Sequence, residues 1–175
     1  MVLPGYETRV VGDDGATVPP GTVGELWVRG PGVLDGYHGD EAATADAVTE
    51  DGWLRTGDLA RRGALGLLVF AGRKKDVIKN GGYSVFAVEV EASLEEHPDV
   101  AEAAVIGLPD ERNGEVPAAA VRLRPGATVT SDELVSWAAG AMASYKAPRR
   151  IVVVDDLPRT GTTKVQKDQL HPLFA

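Results

Sequence analysis

The sequence predicts an α+β fold in two parts, a β-rich N-terminal region followed by a small unit of mixed sheet and helix. Three observations carry this. Residues 1 to 72 are short alternating segments cut by glycine turns, with weak helical periodicity. From Ala87 onward, helical stripes alternate with apolar runs of strand length. Between the two lies Gly72–Tyr83, a cationic segment bracketed by glycines, which marks a seam and divides the chain into residues 1–74 and 75–175.

In the first part, Thr8–Val11 reads as a strand closed by the turn Gly12-Asp13-Asp14-Gly15, and Pro19-Pro20-Gly21 breaks the chain again. Gly24–Gly30 alternates apolar and polar residues as a half-buried strand does. The alanine-rich stretch Asp40–Thr49 predicts one short helix, and Leu65–Phe70 a buried strand. In the second part, Ala87–Glu96 predicts a helix, with Val90 and Leu94 four apart and Pro98 just beyond. Val100–Gly107 and Val116–Leu123 predict two strands joined by a polar loop, Pro109–Gly114. Thr130 and Glu133 have capping-box spacing ahead of a Leu134, Ala138, Met142 stripe. Arg150–Val154 reads as a strand and Lys164–Leu170 as a short terminal helix.

Composition narrows the chemistry. The 175 residues suffice for a real core, and 43% hydrophobic with 25% charged residues is ordinary for a globular chain. With no cysteine, disulfides, thiolate zinc sites and cysteine nucleophiles are excluded, which fits a reducing compartment. Met1–Glu7 lacks a basic n-region and an apolar h-region, and no run is long enough to span a bilayer, so a cytoplasmic location is expected. A net charge of −8 argues against nucleic acid as the main partner. His38, His97 and His171 share no spacing with each other or with a nucleophile, so no triad or metal site is predicted. Trp27, Trp53 and Trp137 read as core, Asp13-Asp14 and Asp155-Asp156 as turn acids, and Arg61-Arg62 and Arg149-Arg150 as surface charge.

Against that acidity, four of the seven residues from Arg73 to Lys79 are cationic, and every lysine lies at or after position 74. Positive charge concentrated beside permissive backbone suits an anion. Two more segments join it. Gly52–Asp58 sets a carboxylate after a tight Thr-Gly turn, suited to accept hydrogen bonds from ribose hydroxyls. Leu157–Lys167 places Lys164 after a Gly/Thr loop, where its ammonium can reach a phosphate.

In this order the three segments resemble the C-terminal third of the adenylate-forming superfamily, which comprises acyl-CoA synthetases, luciferases and the adenylation domains of nonribosomal peptide synthetases. Val23–Gly30 with Gly36-Tyr37, and Ala104–Asp110 with Gly114-Glu115, extend the resemblance over almost the whole chain. It implies that residues 1–74 are the end of the large domain's β-barrel region and residues 75–175 a mobile lid. The implied activity is AMP-forming ligation of a carboxylic acid to CoA, with ATP and CoA as substrates and Mg2+ held through the large domain. The implied roles are Asp58 for the ribose, Arg73 for the nucleotide and Lys75 as hinge. Lys79 faces the adenylate during thioester formation, Gly81 and Gly82 flank the CoA pantetheine, and Lys164 bridges carboxylate and α-phosphate during adenylation.

There are departures. Thr163 stands where the family has glycine before the catalytic lysine, and Ala87 stands where proline often precedes the Glu-x-Glu pair. The family's phosphate loop and Tyr-Gly-x-Thr-Glu motif are missing, so the chain is expected to be a piece of a larger enzyme, inactive alone. The nature of the acid stays open among fatty, aromatic and short-chain classes. Two other readings stand beside the ligase: part of a peptide-synthetase adenylation domain, and a non-catalytic module that binds nucleotide or CoA.

Overall fold

The computed structural model describes residues 4–161 and 164–175, and the chain divides into two units that meet between Lys75 and Asp76. The first unit is an open antiparallel sheet of four strands in sequential order: β1 (Glu7–Val11), β2 (Val23–Arg29), β3 (Leu54–Arg62) and β4 (Leu68–Arg73). Helix α1 (Glu41–Ala47) lies between β2 and β3, and its N-cap Asp40 accepts the Ala43 N–H at 2.9 Å. Val10, Val11, Trp53, Leu59 and Ala60 are buried, and the guanidinium carbons of Arg9 and Arg29 lie 4.2 and 4.6 Å from the Trp53 ring centroid. Gly24 is fixed by close approach, since a side chain there would meet the Val11 carbonyl oxygen at 2.6 Å.

Thr56-Gly57 is not the tight turn expected from sequence. It is a bulge inside β3: Glu25 pairs with Leu59 and Trp27 with Arg55, so Thr56, Gly57 and Asp58 all face Leu26. Gly57 takes φ +70°, which a side chain would resist. The bulge is held by the Thr56 hydroxyl donating to Leu26 O (2.6 Å) and the Asp58 N–H donating to Thr56 Oγ1 (3.1 Å). The Gly57 N–H donates to Glu25 Oε1 at 3.1 Å, and Glu25 Oε2 accepts from Lys74 Nζ at 3.1 Å. Glu25 is only 9% exposed.

Leu65–Phe70 also departs from expectation. The strand begins at Leu68, Gly63–Leu67 form the hairpin turn, and Leu65 and Phe70 are 88% and 57% exposed. The run leads into β4, an edge strand of this sheet, and its Leu67 and Val69 are exposed as well.

The second unit contains β5 (Val77–Asn80), β6 (Tyr83–Phe86), α2 (Ala87–Glu95), β7 (Val100–Asp110), β8 (Gly114–Leu123), α3 (Ser131–Ala141) and β9 (Arg150–Val154). Its sheet runs β6-β5-β8-β7, with β9 added parallel to β8. Both faces are covered, and the period-two alternation of strands separates two cores. Ala103, Val105, Ala119, Val121 and Ile151 pack with Val90 and Leu94 of α2 and with Leu134 and Ala138 of α3. Ala104, Ile106, Ala118 and Ala120 pack with Leu157, Leu170 and Phe174.

β7 is an edge strand, yet α2 satisfies part of its open side. The Ala103 and Val105 N–H groups donate to the carboxylates of Glu95 (3.1 Å) and Glu91 (2.8 Å), one helical turn apart. The β7–β8 connection is shorter than expected, because the strands run through Asp110 and restart at Gly114. Asp110 Oδ1 accepts from the Arg112 and Asn113 N–H groups. These bonds, that from Asn113 first, hold the Asp110 carboxyl below its ordinary range. The expected helix over Lys164–Leu170 is not formed. Val165 bridges Arg159, the Gln166 N–H donates to Pro158 O, and two 3₁₀ turns follow, Lys167–Gln169 and His171–Phe174. Backbone groups engaged in that hairpin are lost to a helix, and Pro172 supplies no N–H to continue one.

Arg62 and Arg150, expected to be surface charge, also brace the fold. Arg62 Nη2 donates to Thr8 O at 3.1 Å, and Arg150 Nη1 donates to Phe174 O at 2.6 Å.

The capping box of α3 is complete: Thr130 Oγ1 accepts the Glu133 N–H, and the Glu133 carboxylate accepts the Thr130 N–H. That backbone bond, then the Thr130 hydroxyl, lowers the Glu133 pKa below its ordinary 4.5. A lowered folded-state pKa gives stability that is present above the unfolded value and lost as pH falls through the folded one. Two expectations follow for urea denaturation of the chain. Thr130→Ala should cost about 1 kcal/mol at pH 7. Glu133→Ala should lower the midpoint at pH 7, and the gap to wild type should close as pH falls below 4.5. In the first unit, Glu25→Ala leaves the Gly57 N–H without its acceptor and should cost about 1–3 kcal/mol. Glu25→Gln, which retains an acceptor, should cost less in the same titration.

Candidate functional site

Asp58 and Arg73 are brought together by strand register. They are cross-strand partners on β3 and β4, and Arg73 Nε lies 3.2 Å from Asp58 Oδ1. Asp58 ends the bulge at Thr56–Asp58, and Glu25 reaches from the bulge to Lys74, the residue after Arg73. An open cleft of about 420 Å³ is lined by Thr56, Gly57, Arg73, Lys74 and Lys75. That volume is in the range of small-molecule sites, and the consecutive cations Arg73, Lys74 and Lys75 on one side suit an anionic ligand. Lys75 closes the first unit, in the 3₁₀ turn Lys74–Asp76.

Lys79, Gly81 and Gly82 belong to one hairpin of the second unit. Asn80 pairs with Tyr83, so Gly81 and Gly82 form a two-residue turn, with φ of +58° and +86°. Positive φ at both central positions is the primed turn that matches strand twist, and glycine accommodates it at both. The turn is anchored by the Gly81 N–H donating to Asn113 O at 2.9 Å. Asn80, 5% exposed, donates from Nδ2 to Tyr145 O at 2.7 Å. The Lys79 N–H donates to Glu115 Oε2 and its Nζ to Ser84 Oγ, each at 2.8 Å, with the side chain exposed. Around Gly82 no atom lies within 4 Å of where a side chain would start, so the backbone there is open to a ligand.

Lys164 lies in the same unit, next to Val165, which bridges Arg159. Its carbonyl accepts the Thr160 N–H at 2.8 Å and its side chain is exposed. Thr163, the departure from the family pattern, lies outside the described residues. Ala87, the second departure, is buried as the first residue of α2, against the core.

Sequence reasoning missed Glu25, Glu115 and Asn80, which hold the bulge and the glycine turn. The signal for Glu25 is its place within the Val23–Gly30 motif, which gives no hint of the bulge it holds. Among the described residues no group of three or more His, Asp or Glu could hold a metal ion. None of their helices is long and apolar enough to cross a membrane.

Two family models match the chain: the AMP-binding enzyme model over residues 1–38 and the AMP-binding enzyme C-terminal domain over residues 89–164. The indoleacetate–CoA ligase of Aromatoleum aromaticum is 45% identical over 172 residues, covering 98% of this chain and 34% of the relative. A feruloyl-CoA synthase of an Amycolatopsis species is 40% identical, covering 96% and 34%. Among solved structures, ATP-bound MatB of Rhodopseudomonas palustris superposes with a TM-score of 0.92 at 35% identity, over 98% of this chain and 34% of that one. The amide bond synthetase McbA of Marinactinospora thermotolerans gives a TM-score of 0.91 at 38% identity, over 98% and 35%. The chain thus spans about a third of the length of the relatives it matches. With the family's motifs in order along the chain and its fold reproduced in both units, the chain belongs to the AMP-binding, adenylate-forming enzyme family and carries that family's C-terminal domain.

Proposed function

We propose that this chain is the C-terminal part of an AMP-forming acid–thiol ligase, which works with a large domain that supplies the phosphate loop and the acyl pocket. The observation that carries the reading is the display of the motif groups. Asp58 and Arg73 meet beside an open cleft, and Lys79 and Lys164 each stand exposed on a hairpin whose backbone is tied down. The acyl-CoA ligases among the relatives support the same reading.

In the first half-reaction a carboxylate oxygen attacks the α-phosphate of ATP and pyrophosphate leaves. Lys164 meets the negative charge that builds there. A cation held at that point in a dry site lowers the barrier by about 3–4 kcal/mol, roughly a hundred- to a thousandfold in rate. Asp58 accepts from the ribose hydroxyls, while Arg73 orients the nucleotide. In the second half-reaction the CoA thiolate attacks the acyl carbon and AMP leaves. Lys79 then faces the adenylate, the pantetheine passes the open backbone at Gly81-Gly82, and Lys75 is the pivot between the two poses. Mg2+ is expected through the large domain.

In the protein that carries the large domain, Lys164→Ala should abolish carboxylate-dependent ATP–pyrophosphate exchange and spare thioester formation from a supplied acyl-adenylate. Lys79→Ala should do the reverse. Loss of the same half-reaction in both variants would overturn the assignment. The 175-residue chain alone should make no acyl-CoA from any acid. The likeness to an amide bond synthetase gives the assay a second acceptor: amide formation with an amine, and none of thioester with CoA, would replace CoA in this reading.

A further inference from the structure

Among the described residues around Lys164, a bridge joins Arg159 to Val165. Backbone bonds run there from Thr160 N–H to Lys164 O and from Gln166 N–H to Pro158 O, each 2.8 Å. A two-stranded hairpin is marginal by itself and gains from an external brace that holds one geometry. Ionic contacts supply such a brace here. Arg159 Nη2 donates to Glu102 Oε2 at 2.5 Å, across 57 positions of sequence, and Arg159 Nε lies 4.0 Å from Asp156 Oδ1. Glu102 is itself preset. Its cross-strand partner Arg122 donates to the same oxygen at 3.2 Å and reaches Asp156 at 3.8 Å. Glu102 is about three-quarters shielded from solvent, so the two guanidiniums meet an acceptor that is poorly screened.

On the far side of the hairpin a second cation does the same. Lys167 Nζ lies 2.7 Å from Glu91 Oε1 and 3.7 Å from Asp76 Oδ2. Glu91 is rigid because the same oxygen caps the Val105 N–H at the open edge of β7. The chain on either side of Lys164 is therefore held to Glu102 of β7 through Arg159 and to Glu91 of α2 through Lys167, and Glu91 in turn caps β7.

Resting on the ligase reading above, we infer that Arg159 is a positioning residue for the first half-reaction: its clamp on Glu102, opposed by Lys167 on Glu91, holds the Lys164 hairpin in register. Lysine has four rotatable bonds of its own, so aim at a phosphate depends on the backbone beneath being fixed. Arg159 itself need touch neither nucleotide nor acid.

Two measurements test this, one of which needs no activity. By hydrogen exchange on the 175-residue chain, Arg159→Ala should speed exchange of the Thr160 and Gln166 amides at least tenfold, with the β7–β8 amides unchanged. In the protein carrying the large domain, Arg159→Ala should lower pyrophosphate exchange at least tenfold through kcat, and leave thioester formation from supplied acyl-adenylate within twofold. Glu102→Gln should reproduce both effects, the double variant should add little to either, and Arg159→Lys should restore part of the rate. Unchanged Thr160 and Gln166 exchange, or an equal fall in both half-reactions, overturns the inference. If Arg159→Ala does not fold, Arg159→Lys and Glu102→Gln decide by the same criteria. Lys164→Ala separates the two claims: if it leaves pyrophosphate exchange intact the ligase assignment falls, whatever the exchange data say of the clamp.

Discussion

The bond from a backbone N–H to a side-chain carboxylate is the interaction on which this structure most depends. Strands here bulge, stop and run along edges, and each irregularity leaves a donor that would be costly to bury unpaired. Acids fill those places. Glu25 takes the Gly57 N–H at the bulge, Glu115 takes that of Lys79, and Glu91 and Glu95 take those of Val105 and Ala103 at the edge of β7. Asp110 closes the β7–β8 turn, Glu133 the start of α3 and Asp40 the start of α1. An acidic chain with a net charge of −8 thus spends much of its negative charge on its own backbone.

That use of acids determines what the cations do. Arg62 and Arg150 donate to carbonyls, while Arg122, Arg159 and Lys167 neutralise acids that are already engaged. Lys79 and Lys164 remain exposed on hairpins whose backbones are fixed. An exposed charge beside hydrogen-bonded backbone suits a group that has to reach a ligand, because the cost of ordering is confined to one side chain. The two glycines of the Gly81-Gly82 turn fit the same logic: the turn requires positive φ, and the backbone it exposes is unobstructed.

Much of this was legible in the residues. The two-part α+β division follows from the change of periodicity, and the α3 capping box from Thr130 and Glu133 three apart. The motif order that indicates the family needs no coordinates, because it is a property of type and spacing. Where the reading failed, the cause was long-range. Thr56-Gly57 has the composition of a turn and forms a bulge, because β2 across from it keeps the strand paired on both sides. Leu65–Phe70 has the composition of a core strand and lies at an edge. Lys164–Leu170 has helical residues and forms a hairpin arm, because Pro158 offers its carbonyl from the opposite arm.

By itself the sequence determined the family and the two-part α+β division, since these depend on residue type and local spacing. Only the tertiary structure decided which charges meet each other. Arg73 finds Asp58 because β3 and β4 pair in one register, and Arg159 finds Glu102 because β7 passes beside a hairpin 57 residues further on. Both meetings turn on distances of a few ångströms between segments far apart in the chain, and local pattern carries no information about those.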